Sequence, residues 1–210
     1  GDLLGGDPGC IEDTERLAGL ADAKHLPLRL TEANSYYFGG RDGVSNVFAS
    51  ALWGADFMLA LAQLGVAGIH FHGGTLASVE ASLGREADAS TTATDIAARR
   101  DAVSSRYSAI AGNVELGFQP RPLFHGIELA QRFAGARMLP ARFDTGGANL
   151  GAYAARRGDG VLVALINKDC LRDADVAVGG LAGYGKGNTM RLRAPALDSR
   201  DGVSFADANE

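Results

Sequence analysis

Cysteine is scarce in this chain, with two in 210 residues, Cys10 and Cys170. They are too few and too far apart for a disulfide framework, and neither stands in a CxxC or other metal-ligand spacing. No apolar run reaches the ~18 residues of a membrane span, and no signal peptide opens the chain. Positive charge is in deficit, with 20 Lys and Arg against 25 Asp and Glu and a net charge of −5. That balance argues against nucleic acid or an anionic membrane surface as partner. It leaves an acidic substrate open, because a local patch can differ from the total. What remains is 46% hydrophobic and 21% charged residues, the composition of a soluble globular protein of one domain or two small ones. The first residues are Gly1-Asp2-Leu3-Leu4 and the last are Asn209-Glu210, and both ends read as cut.

The pattern of apolar residues divides the chain into two kinds of structure. Residues 11–23 read as an amphipathic helix, with Leu17, Leu20 and Ala21 on one stripe. Pro27 breaks it, and residues 28–31 read as a short strand. A Gly-rich loop (Gly39, Gly40, Gly43) leads to a helix of about twenty residues, with Ser45 as its N-cap and Gly65 just past its end. Residues 66–71 form the next strand. Strand, loop, long helix, short turn and strand make a βαβ unit of a parallel sheet. The Ala-rich stretch 75–106 reads as a helical or mobile insertion, and residues 122–134 as another helix. From Gly135 onward, runs such as Gly160-Val161-Leu162-Val163-Ala164-Leu165-Ile166 alternate with Gly- and Asp-rich turns. They read as antiparallel strands, so the domain boundary falls near residue 136.

Glu32 follows the first strand directly, in Thr31-Glu32-Ala33-Asn34-Ser35. In a (β/α)8 barrel the C-terminal strand ends face the active site, so a carboxylate there is a catalytic candidate. In the second strand, alternation puts Ala67, Ile69 and Phe71 on one face and Val66, Gly68, His70 and His72 on the other. His72 then stands beside the Glu32 strand, so that a carboxylate and an imidazole share one pocket. The same alternation sends Arg29 outward, which calls for a bulge near Thr31 or a snorkelling Arg29. His70 and His72 form a His-x-His, but no further ligand spacing accompanies them, so no metal is expected and His70 reads as a satisfied core residue. Trp53 and Phe57 share a buried helix face and read as packing. The stretch from Gly39 to Gly43 lacks the GxxxxGK[ST] pattern of a phosphate loop.

Five segments together resemble glycoside hydrolase family 79, the exo-β-glucuronidases and heparanase-like endoglucuronidases. They are residues 28–35, Gly43-Val44-Ser45, Ala51-Leu52-Trp53 with Asp56, Gly65-Val66, and Phe71-His72-Gly73-Gly74. The resemblance is dense over 26–74, looser at residues 122–133 and 165–168, and absent over 75–106. It implies the C-terminal part of a retaining (β/α)8 TIM barrel, strands seven and eight, in residues 1–135. Residues 136–210 would supply part of an antiparallel β-sandwich. Glu32 matches the family's nucleophile, and the partner acid, an Asn-Glu pair on strand four, would lie upstream of Gly1. The pair Asn209-Glu210 follows the sandwich strands and reads as coincidence. For the glucuronate carboxylate the resemblance implies donors from Tyr37, from the backbone around Gly39 and from Tyr107, with His72 touching a sugar hydroxyl or Glu32. It implies a secreted or periplasmic location, a glucuronic-acid-containing carbohydrate as substrate, the missing N-terminal barrel half as structural partner, and no cofactor.

The leading expectation is exo action on terminal glucuronic acid, since the loops offer few basic residues beyond Arg41 to hold a sulfated chain for endo cleavage. Two strands cannot close a barrel, so the alternative is an inactive isolated chain that needs an N-terminal partner. A sugar-binding sandwich is a third reading, for which residues 136–210 offer few aromatics. Another glycosidase of the same barrel superfamily is a fourth, against which the Tyr37 and Gly39 carboxylate site argues.

Overall fold

The computed structural model describes residues 3–84 and 95–207. A 3-10 turn at Leu3–Gly5 precedes helix α1 (Pro8–Asp22). Pro8 fills the first helical turn and the Asp7 carboxylate accepts the Cys10 N–H at 3.1 Å, which together fix the start. The Leu17 and Leu20 stripe of α1 is exposed, at 44% and 59%.

Strands β1 (Arg29–Ala33) and β2 (Gly68–Phe71) pair in parallel, joined through helix α2 (Phe48–Gln63). This is the βαβ unit that the apolar spacing predicts. The register runs from Arg29 opposite Gly68 and Leu30 opposite Ile69 to Ala33 opposite Phe71. Three steps along β1 meet two along β2, so an extra residue is inserted beside Thr31. That is the bulge the outward Arg29 calls for, and the Arg29 guanidinium lies across Gly68, where a Cβ would meet it at 2.5 Å.

Two details differ from the sequence reading. Helix α2 is shorter at its start, and Val47 occupies the N-cap with no side-chain capping bond. The Ser45 hydroxyl instead accepts the Arg41 N–H at 3.0 Å, a local turn bond that competes with capping. His70 is exposed, not a core residue, because its face of β2 is left open beside β1.

Helices α3 (Leu76–Ser82) and α4 (Ile96–Val103) lie within the stretch read as an insertion; its residues 85–94 fall outside the described residues, as does Asn209-Glu210. A short hairpin follows, β3 (Ile110–Asn113) with β4 (Gly117–Pro120), then helix α5 (Pro122–Gln131). Gly135, with φ +73°, turns the chain into β5 (Arg137–Leu139). Strands β6 (Leu150–Arg157) and β7 (Gly160–Asn167) complete a three-stranded antiparallel sheet in the order β5-β6-β7. Gly158 and Asp159 form the two-residue hairpin loop between them, Gly158 with the positive φ such loops require. Strands β8 (Met190–Arg193) and β9 (Ser204–Asp207) pair antiparallel.

One core joins these parts. Phe48, Ala51, Leu52, Ala55 and Leu59 of α2 meet Ala130 and Phe133 at the end of α5, and Ala155, Ala164 and Ile166 of β6 and β7. Each buried Leu or Phe of this kind stabilises by about 1.5–3 kcal/mol. Helices α2 and α5 approach closely at Gly126, where a Cβ would stand 2.9 Å from the Ala51 Cα. Among the described residues no helix is long and apolar enough to cross a membrane.

Candidate active site

Glu32 and His72 leave the same ends of two adjacent parallel strands. Glu32 lies within β1, and His72 follows β2 directly, its N–H donating to the Ala33 carbonyl at 3.1 Å. Both side chains are on exposed residues. Behind them stands Tyr107, 5% exposed, whose hydroxyl is 2.5 Å from His72 Nδ1. The rings meet edge to face, with centroids 5.5 Å apart. Burial holds the Tyr107 phenol above its ordinary pKa. Hydrogen bonding from the Gly39 backbone opposes the rise, and the negative charge of Glu32 adds to it. Gly39, His72 and Tyr107 thus form one cluster drawn from three separate segments, within electrostatic reach of Glu32.

The loop after β1 is shaped by its glycines. Gly39 and Gly40 hold φ of +84° and +88°, a region that side chains disfavour. The Gly39 carbonyl accepts the Arg106 and Tyr107 N–H groups at 2.6 and 3.3 Å, so the loop lies directly on the Tyr107 segment. Asn34 closes the strand ends by donating its amide to the His72 carbonyl at 2.5 Å.

Tyr37 lies on the same loop as Gly39, its carbonyl accepting the Gly40 N–H at 3.1 Å. It is 63% exposed and stacks on Tyr36 at 4.5 Å, with Phe38 against its edge at 4.8 Å. Hydrogen bonds from Tyr37 and Arg41 lower the Tyr36 phenol below its usual value, while Tyr36 raises that of Tyr37. Phe38 is exposed at 61% and held at φ +51°, a strained backbone for an aromatic residue. Trp53 stacks on Phe57 at 5.1 Å and meets Phe71 of β2 edge-on at 6.0 Å, the packing role its helical spacing predicts.

An ionic frame behind the site has no counterpart in the sequence pattern. Arg121, at the N-cap of α5, is 5% exposed. Its guanidinium donates to the Asp101 carboxylate at 2.6 Å and to the Ser105 carbonyl at 2.5 Å. Burial pulls the Arg121 pKa down and Asp101 holds it up. Arg106 joins Asp101 at 3.2 Å and Asp42 at 3.8 Å. No spacing in the sequence announces this set; an arginine directly before Pro122 is its one local sign. Among the described residues no group of three or more His, Cys, Asp or Glu side chains is arranged to hold a metal ion.

A stretch of the chain is similar to two fungal β-glucuronidases. The chain is 50% identical over 54 residues to a β-glucuronidase of Neurospora crassa, covering 26% of this chain and 10% of that protein. It is 44% identical over 50 residues to a β-glucuronidase of Aspergillus niger, covering 24% of this chain and 9% of that protein. The matched stretch therefore spans about a tenth of the length of these relatives. No protein-family model matches the chain.

Proposed function

We propose that this chain supplies the nucleophile side of a retaining β-D-glucuronidase of the family 79 type, acting on terminal glucuronic acid. In this reading β1 and β2 are strands seven and eight of a (β/α)8 barrel within residues 1–135. Strands β5 to β9 belong to a partial β-sandwich within 136–210. A Glu32 carboxylate oxygen attacks the anomeric carbon and the bond to the leaving oxygen breaks. A second carboxylic acid, carried by chain outside these residues, protonates that oxygen; retaining enzymes hold the two groups ~5–5.5 Å apart. Water then attacks the glycosyl-enzyme, the second group taking its proton, and Glu32 is released. Tyr37, the Gly39 backbone and the Tyr107 hydroxyl are the donors proposed for the substrate carboxylate, and His72 the contact to a sugar hydroxyl.

The observation that carries this reading is the juxtaposition of Glu32 and His72 on neighbouring parallel strand ends, backed by Tyr107. The likeness to two β-glucuronidases supports the substrate class. A second reading has its own support. The sheet holding Glu32 has two strands, and Glu32 and His70 are exposed, so the isolated chain is proposed to be inactive until an N-terminal partner covers that face.

A mechanism-based glucuronide inactivator that traps the glycosyl-enzyme tests both. Peptide mass mapping should find the label on Glu32 in a chain extended upstream through the second carboxylate, and find none in Glu32→Gln. Labelling of the 210-residue chain by itself would overturn the second reading. Hydrolysis of glucuronides by the extended chain with Glu32 unlabelled would overturn the first.

A further inference from the structure

The first turn of a helix leaves backbone N–H groups without partners inside the helix. In α2 no side chain answers them, since Val47 stands at the N-cap. The acceptors come from the other end of the chain. The Phe48 N–H donates to the Ser199 carbonyl at 2.8 Å and the Ala49 N–H to the Leu197 carbonyl at 2.9 Å. The turn that offers these carbonyls closes on itself, the Ala196 N–H donating to the Ser199 hydroxyl at 2.9 Å. Ala194, Leu197 and Val203 anchor it by packing against the shared core.

The next residue reaches the loop after Glu32. The Arg200 guanidinium lies 2.7 Å from the Asp42 carboxylate and 3.7 Å from that of Asp101. Asp42 also accepts from the Asn46 amide at 3.0 Å, and Asn46 in turn accepts the Gly43 N–H at 2.9 Å. The loop is thus gripped from two sides. Arg106 and Tyr107 hold Gly39, and the segment from Ala194 to Arg200 holds Asp42 and the start of α2.

An exposed ion pair contributes little by itself, and Arg200 and Asp42 are 46% and 56% exposed. Here the pair is one member of a set with two backbone bonds and three packed anchors, so its geometry is fixed by its surroundings. We propose that Arg200 is a positioning residue. Through Asp42 it sets the 39–46 loop beside Glu32 and Tyr107, so that the C-terminal strand region helps to shape the candidate site. That this loop serves a site rests on the glucuronidase reading; the loop's dependence on Arg200 does not, and the two can fail separately.

Amide hydrogen exchange on the full chain measures the dependence, with the Asp42 carboxyl carbon followed by NMR. Burial pushes the Asp42 carboxyl up, but Asn46 and Arg200, helped by Arg106, hold it below its ordinary range. Arg200→Ala should speed exchange of the 40–46 amides about fivefold, leave β6 and β7 amides unchanged, and raise the Asp42 titration midpoint. Arg200→Lys should restore most of each effect. Asp42→Asn should speed the same amides, and adding Arg200→Ala to it should change nothing further. If Arg200→Ala does not fold, raising the salt on the unsubstituted chain should deprotect the loop amides selectively. Unchanged loop exchange, uniform acceleration across the chain, or additive effects of the two substitutions would each overturn the proposal.

Discussion

At Gly40 the backbone φ is +88°, and a Cβ would stand 2.7 Å from the Tyr107 amide nitrogen and 3.0 Å from the Arg106 and Ser45 Cβ atoms. These neighbours are main-chain or stem atoms that cannot swing aside. Gly40→Ala should therefore destabilise by about 2 kcal/mol or more, from strain and overpacking together. Chemical denaturation would measure it, and the edge-to-face contact of His72 and Tyr107 should weaken in parallel. Tyr153 makes stability depend on alkaline pH. The Tyr153 hydroxyl donates to the Asp56 carboxylate at 2.8 Å, and burial, with the Asp56 charge beside it, raises its pKa well above the ordinary phenol value. A raised folded-state pKa gives stability that is complete below the unfolded value of ~10 and lost as pH rises beyond it. Tyr153→Phe should cost about 1.5–3 kcal/mol near neutrality, where it removes a bond to a charged group. It should also flatten the fall in unfolding free energy between pH 9 and 11 (approximate limits set by that pKa).

Between elements, the α2–α5 contact decides what a methyl group does. Gly to Ala in a helix interior ordinarily stabilises by about 0.5–1 kcal/mol. Gly19 of α1 has nothing within 4 Å of the place an added methyl would take, so Gly19→Ala should show that gain. At Gly126 the same methyl meets the Ala51 backbone, and the two helices must separate. Gly126→Ala should instead destabilise by about 1–3 kcal/mol. If it stabilised, the close approach of α2 and α5 would be wrong. The βαβ unit around these helices was legible in the sequence because its apolar residues recur with local periods, and because Gly65 marks the end of α2. The β3–β4 hairpin was not legible. Its strands are four residues each, and Gly112 and Gly117 hold positive φ within it, so no alternation of two develops. Glu32 and His72 stand in segments the sequence singles out, and Gly39 and Tyr107 were candidates through the family resemblance alone. The Arg121, Asp101, Arg106, Asp42 and Arg200 frame carried no signal of either kind. Its members are joined by distances in space that no short-range pattern encodes, Arg200 and Asp42 being 158 positions apart.

Across the whole molecule, antiparallel pairing already begins with the β3–β4 hairpin, and the packing runs on across the boundary expected near residue 136. Phe48, Leu52 and Leu59 of α2 share a core with Ile166 of β7. Beside that core the Lys168 ammonium lies 2.6 Å from the Asp56 carboxylate, with side chains 11% and 17% exposed. This pair ties α2 to the end of β7, and Tyr153 of β6 completes it. Removing one partner of such a pair leaves a shielded charge, at a cost of about 3 kcal/mol. Lys168→Met retains the apolar stem and should show that loss. If residues 1–135 and 136–210 were separately stable, the loss would fall on one of two transitions. The shared core instead requires a single cooperative unfolding, in which Trp53 fluorescence, reporting α2, and circular dichroism of the sheet change together. Both probes should shift by the same amount in Lys168→Met, and a split between them would mean that the boundary near residue 136 separates two independent folding units.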